Sequence, residues 1–176
     1  MATPVTLEDA RRQLRMEADD TSRDDDLKTF IADAAAWVEN YTGQILDARD
    51  ITETFRGLGP VALRAWPIKP DAVPAVAYID VTNTPIALTG ARLDLTRRPA
   101  RVLPPSQFWP FRDAQQLFTV TIRAGYEADE AAPGTIRRAM LVLIGAYDGD
   151  REGGDILAKA EDAARRICGD LRGNRL

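Results

Sequence analysis

The stretch Asp24–Gly43, DDDLKTFIADAAAWVENYTG, constrains this chain most, because it reads as a helix with both ends written into it. Asp24 is expected as the N-cap, and Asp25 and Asp26 put negative charge in the first turn, where the macrodipole favours it. Leu27, Ile31, Ala34, Val38 and Tyr41 recur at spacings of four, three, four and three, and Phe30 and Trp37 widen that stripe to a core-facing breadth. Gly43 supplies the left-handed residue just past the end. A helix with such a face is not stable alone in water, so the rest of the chain must cover it.

Composition narrows what that remainder can be. A chain of 176 residues, 45% hydrophobic and 28% charged, is expected to form one soluble domain with a proper core. No apolar run approaches the roughly 20 residues needed to span a bilayer, and MATPVTLEDARRQ has mixed charge where a signal peptide would be apolar. No membrane association is expected. The single cysteine, Cys168, excludes an internal disulfide, fits a reducing cytoplasm, and reads as a small buried hydrophobe. The net charge of −4 argues against a dedicated DNA-binding domain.

Absences limit the chemistry. The chain has no histidine, which removes imidazole acid–base catalysis and imidazole metal ligation. Its only serines, Ser22 and Ser106, lie outside any G-x-S-x-G setting, and Gly57-Leu58-Gly59 runs into a proline instead of a phosphate-binding helix. No catalytic, cofactor-binding or metal-ligating residue is assigned, and no cofactor is expected. The acidic connector EADDTSRDDD over residues 17–26 is the one place for carboxylate chemistry. Its spacing lacks the calcium-loop pattern and the glycine of the sharp turn, so it reads as a solvated loop with helix-end acids.

In chain order, Thr6 is an N-cap with Leu7–Arg15 helical behind it and Asp9 completing a capping box. From about residue 50 the period changes to two. Short strands are expected at Ile51–Phe55, Val61–Arg64, Val76–Thr82, Ile86–Leu88, Arg92–Thr96 and Phe118–Ala124, with hairpin turns at Asn83-Thr84-Pro85 and Thr89-Gly90. Helix returns at Pro133, with Ile136, Met140, Leu143, Ile144 and Tyr147 on its apolar face. Asp148–Asp155 is expected to be a mobile, glycine-rich loop. A last helix carries Ile156, Ala160, Ala164, Ile167, Cys168 and Leu171 on one side.

The fold class that follows is α+β. A mainly α-helical bundle comes from N- and C-terminal helices (1–46 and 133–172), with a small antiparallel β subdomain inserted at about 50–125 and projecting from it. A tail follows at 173–176, and the whole of 1–176 is read as a single domain.

Several segments, in order, resemble one family. Val5-Thr6-Leu7-Glu8-Asp9-Ala10, Leu14-Arg15, an acidic gap, and Glu39-Asn40-Tyr41-Thr42-Gly43 resemble the head–tail connector (adaptor) proteins of long-tailed phages. The likeness continues through Trp66-Pro67-Ile68-Lys69-Pro70, Ala124-Gly125-Tyr126, the helix from Pro133, and Tyr147 with Arg151-Glu152-Gly153. The resemblance implies a non-enzymatic virion protein, made in the host cytoplasm and located in the neck. It would form a closed, twelve-fold ring of itself below the portal protein, extend the DNA channel, and offer a docking surface to a downstream neck or tail-completion protein. DNA would be met only as a passing duplex. About twelve copies at −4 would sum to roughly −48, which discourages that duplex from sticking.

Two surfaces are candidates for contact. The C-terminal segment of such adaptors reaches the portal, which makes Arg165, Arg166, Arg172 and Arg175 portal-docking candidates; a solvated helix end with arginines near its C-terminus is the alternative. Phe108, Trp109 and Phe111 crowd a proline-flanked loop and are candidates for a partner pocket, or for the core of the β region. The competing functional classes are a carboxylate-metal-dependent enzyme and a small nucleic-acid-binding module.

Overall fold

The computed structural model describes residues 4–172 apart from 18, 81, 83, 112–114, 128–129 and 151. The protein is mixed α+β, with four α-helices and seven strands among the described residues. It divides into two compact units: Met1–Asp47 with Tyr126–Gly173, which holds the helices, and Ala48–Gly125, which holds the strands. No helix of the described residues is long and apolar enough to cross a membrane.

In the helical unit, α1 spans Leu7–Gln13, α2 Asp24–Thr42, α3 Gly134–Gly149 and α4 Asp155–Ile167, followed by a 3-10 turn at Gly169–Leu171. The stripe on α2 buries as its spacing demands: Leu27, Ile31, Ala34 and Val38 meet Ile136, Met140, Leu143 and Ile144 of α3 in one apolar cluster, joined by Ala164 and Cys168. The Thr6–Asp9 capping box is present in both directions, each bond 3.2 Å long. Gly43 takes φ +69 at the end of α2 and donates its N–H to Glu39.

Three expectations about this unit change. Arg23, not Asp24, occupies the N-cap position of α2. The Asp24 carboxylate is drawn instead to Arg11, whose guanidinium reaches both oxygens at 2.6 and 2.7 Å. Ile156 is 56% exposed, because the inner stripe of α4 continues from Ala160 back to Leu157, at the three-residue spacing, and not to Ile156. The loop after α3 is organised by one side chain. Asp150 accepts from the N–H groups of Gly154 (3.0 Å), Ile156 (3.1 Å) and Leu157 (3.2 Å), and so caps α4 from outside its N-cap position.

Two buried polar residues, Thr42 and Gln44, close the same unit. Gln44 Oε1 accepts from Tyr126 Oη at 2.6 Å, and its amide donates to the Leu171 carbonyl at 3.2 Å. Thr42 Oγ1 donates to Val38 and accepts from the Gln44 N–H. Among the described residues no buried side-chain nitrogen or oxygen is left without a partner, as burial requires.

The strands form two antiparallel sheets. One has the order β1 (Arg49–Arg56), β7 (Leu117–Ala124), β3 (Ala75–Ile79), β4 (Pro85–Leu88); the other runs β2 (Val61–Ala62), β6 (Arg101–Leu103), β5 (Arg92–Asp94). The alternation read in β7 places Phe118, Val120, Ile122 and Ala124 in the core. Asn83 lies outside the described residues; between β3 and β4, Asp80 Oδ1 accepts from the N–H groups of Thr82 and Thr84. That Asx turn ends β3 at Ile79, short of Thr82. An equivalent turn from Asp94 to Thr96 ends β5 at Asp94, short of Thr96. Thr89-Gly90 does not close a hairpin, because it carries the chain from β4 of one sheet to β5 of the other. β2 stops at Ala62, since the Glu53 carboxylate takes the N–H groups of Arg64 and Ala65. β6 was not expected, because the four residues between Pro99 and Pro104 are too few to show a period.

The Asp150 cap has a pH signature. The N–H of Gly154 first, then that of Leu157, hold its carboxyl below the usual carboxylate range. A depressed folded pKa contributes stability above the unfolded value of about 3.9, and that contribution disappears as pH falls through the folded value. Asp150→Asn is expected to lower the urea midpoint at pH 7 and to speed amide exchange at the start of α4. The difference from wild type should shrink on acidification below about pH 4.

Candidate interaction surfaces

The C-terminal arginines stand on the helical unit, where α4 runs beside the second half of α2. Trp37 and Tyr41, one turn apart on α2, stack with ring centroids 5.3 Å apart at 18°. The Arg165 guanidinium lies 5.8 Å from the Trp37 ring, and Arg172 lies 5.4 Å from that of Tyr41. Arg165 also donates to Asp162 at 2.7 Å and to Glu161 at 2.9 Å, and the Asp162 bond leads in raising its already high pKa. Tyr41 Oη donates to the Arg165 carbonyl at 3.2 Å. Two of the four arginines are therefore preset on an aromatic platform. Arg166 is exposed beside them, and Arg175 lies outside the described residues, as does the 173–176 tail. The platform itself went unread in the sequence, although the i,i+4 pair Trp37/Tyr41 at the edge of the stripe signals it.

The aromatic loop divides. Trp109 is 2% exposed, and its indole N–H donates to the Gly59 carbonyl at 2.7 Å while its backbone N–H donates to Leu58. Its ring centroid sits 5.2 Å from Phe118, and Phe111 packs 5.0 Å from Phe118 and 5.1 Å from Tyr78. Trp109 and Phe111 thus build the β unit's aromatic core. Phe108 alone, 53% exposed, presents a ring to solvent.

The acidic connector is tied up locally. Asp20 accepts from Ser22 Oγ and N–H, bonds that hold its carboxyl low, while Asp24 is held by Arg11 and Asp25 by Lys28. Among the described residues, no group of three or more His, Cys, Asp or Glu side chains is placed to hold a metal ion. Cys168 is wholly buried in the helical core, and burial pushes its thiol pKa up, away from the reactive thiolate.

Residues 4–62 match the family described as phage gp6-like head-tail connector protein. The matched segment is the N-terminal third of the chain. It contains α1, α2, β1 and β2, and with them the capping box, the apolar stripe and the Gly43 end. The C-terminal arginines and the aromatic loop lie outside it. No curated protein matches the chain. Among solved structures, a protein of the neck of an empty gene transfer agent particle, computed with C6 symmetry, superposes with TM-score 0.79 at 18% identity, covering 98% of this chain and 91% of that one. A chain of the native gene transfer agent virion gives 0.78 at 19%, covering 100% and 94%. One from the native neck, computed with C12 symmetry, gives 0.69 at 21%, covering 100% and 97%. At these identities the likeness is one of fold, and it runs the whole length of the chain.

Trp109→Ala is expected to cost about 3–5 kcal/mol in chemical denaturation of the isolated protein, the range for emptying a buried aromatic site. Phe108→Ala should stay within about 0.5 kcal/mol of wild type.

Proposed function

We propose that this protein is a structural subunit of a phage-type neck, a head–tail connector that forms a ring below the portal, extends the DNA channel and offers a docking surface to the next neck or tail protein. One coincidence carries the reading: the family match over residues 4–62 and the full-length likeness to neck proteins point to the same particle component. The C6 and C12 symmetries of the similar necks support a closed homo-oligomeric ring, and we take this chain's ring as twelve-fold. We assign it no catalytic role, since the family and its structural relatives are particle components. We read residues 1–176 as one connector domain, a helical bundle of the two chain ends carrying the β region as an insertion.

The portal is met, in this proposal, by the end of α4. Arg166 and Arg172 are exposed there, and Arg165 and Arg172 are held against Trp37 and Tyr41, which lowers the rotamer entropy lost on docking. Arg175 extends the same basic run. The alternative of a merely solvated helix end is separated from it by measurement. Phe108 is the member of the aromatic loop that reaches solvent and the one we assign to a neck partner.

Light scattering or mass photometry of the purified protein, alone and with its cognate portal, should give a closed oligomer in at least one condition. A monomer indifferent to the portal would remove the connector reading. Arg166→Ala with Arg172→Ala should weaken portal binding by about tenfold at low salt and by less at high salt, with the melting temperature little changed.

A further inference from the structure

Charge is unevenly divided along this chain. Ala48–Gly125 has ten bases against six acids, net +4, whereas the rest has thirteen against twenty-one, net −8. Arg112 and Asp113, which lie outside the described residues, cancel in that count. Nine of the ten bases are arginine. The strand-bearing unit is thus an arginine-rich part of an acidic chain, which the overall value of −4 conceals.

The three-stranded sheet sets three of these arginines in a row. Its register places Arg101 of β6 opposite Asp94 of β5 on one side and opposite Ala62 of β2 on the other. Arg92 stands two residues from Asp94, toward the Leu103 end of β6, and Arg64 two residues from Ala62, toward the other end. The Leu63 N–H, donating to the Ala100 carbonyl at 2.8 Å, carries the pairing past Ala62. Diagonal neighbours across antiparallel strands lie roughly 7–8 Å apart, so Arg64, Arg101 and Arg92 cross the sheet in one line of about 15 Å. Val61, Leu63 and Val102 alternate with them and are buried, which leaves the row on the outer face, where all three arginines are exposed.

Little on that face competes for them. None of the three forms an ion pair among the described residues. Asp94 spends its Oδ1 on the Thr96 hydroxyl at 2.6 Å and the Thr96 N–H at 2.9 Å. Those bonds, and then the charges of Arg97 and Arg101, hold its carboxyl low, so the exposed Arg97 adds to the positive potential at the same corner. The exposed large apolar side chains, Val73, Ile79, Phe108, Leu117 and Ile156, all lie outside β2, β5 and β6, so the face lacks the apolar centre of a protein interface.

We propose that the Arg64–Arg101–Arg92 row is where this protein meets double-stranded DNA, through the phosphate backbone and without reading sequence. The setting, a DNA channel, rests on the connector reading above. A guanidinium presents a planar fork of donors that matches a phosphate. One strand of a duplex offers a phosphate about every 3.4 Å of its axis, so a 15 Å row lies alongside several of them. Such contacts position a duplex and carry no sequence information. The net −8 of the rest of the chain opposes a wider contact, so the duplex is held weakly and can move on.

The test is fluorescence anisotropy of the full chain with a labelled duplex of about 30 base pairs and arbitrary sequence, with the chain alone and on its portal. Wild-type affinity should fall about 40-fold between 50 and 200 mM salt, the slope for three phosphate contacts. Arg92→Gln with Arg101→Gln should bind at least about tenfold more weakly at 50 mM salt, and lose only about three- to fourfold more over the same range. R138Q/K159Q removes the same charge from exposed positions of the helical unit and should bind like wild type. Circular dichroism and melting check each fold; if R92Q/R101Q melts early, the single variants replace it, each removing about one third of the slope. Unchanged binding by R92Q/R101Q, an equal loss in R138Q/K159Q, or no wild-type binding at 50 mM salt would overturn the site. An R92Q/R101Q variant that keeps DNA but loses self-association or portal binding would assign the face to a protein and sink the proposal. A chain that binds duplex through Arg92 and Arg101 yet stays a monomer indifferent to the portal would keep the site and remove the connector reading.

Discussion

Burial of the α2 stripe against α3 is the contact on which the helical unit depends. Leu27, Ile31, Ala34 and Val38 come from the first quarter of the chain, and Ile136, Met140, Leu143 and Ile144 from its last quarter. Neither helix can hide its face within its own neighbourhood, so the two ends of the chain must return to each other. The ion pairs of this unit orient that return more than they drive it. Arg137–Asp9 and Arg23–Asp148 join α1 and α2 to α3 but are partly exposed, and such pairs contribute on the order of 0–1 kcal/mol each. The bidentate Arg11–Asp24 pair is better shielded, and it fixes how α1 lies at the start of α2.

Arginine against an aromatic ring recurs in this protein: Arg165 on Trp37, Arg172 on Tyr41, and Arg98 at 5.3 Å from Trp66. A guanidinium is weakly hydrated for a cation, so it can lie flat on a ring and still meet a carboxylate at its edge. For the neck component proposed above this chemistry has a use. Contacts of this kind are specific in geometry, yet their charge is screened by salt, so subunits can form and reform them during assembly without the apolar patches that make a free subunit aggregate.

The helices were largely legible in the sequence because their signals are local and repeated. The capping box at Thr6 and Asp9, the 3.6-residue stripe of α2 and the Gly43 end each need only a few neighbours to form. Much of the β region was legible for the same reason, β7 most of all. Several of the misses share a cause. Asp-x-Ser/Thr occurs at Asp20–Ser22, Asp80–Thr82 and Asp94–Thr96, and each time the carboxylate turns the backbone, twice shortening a strand. Those turns could have been read from the sequence. That Glu53 would take the N–H groups of Arg64 and Ala65, or that Asp24 would serve Arg11 instead of capping its own helix, could not, since both depend on a partner brought near only by folding.

The sequence by itself determined where helices and strands lie, which faces are apolar, that imidazole chemistry is absent, and, through an ordered set of weak marks, which family the chain resembles. Those properties follow from periodicity, capping and composition, which act over a few residues. Tertiary structure decided which side chains meet: Trp109 in the core and Phe108 outside, Arg165 and Arg172 on an aromatic platform, Tyr147 beside Phe30. Trp109 reaches Gly59 fifty positions away, and the others join residues more than a hundred apart; no local pattern encodes them, because the burial that brings them together is non-directional until every face has found its cover.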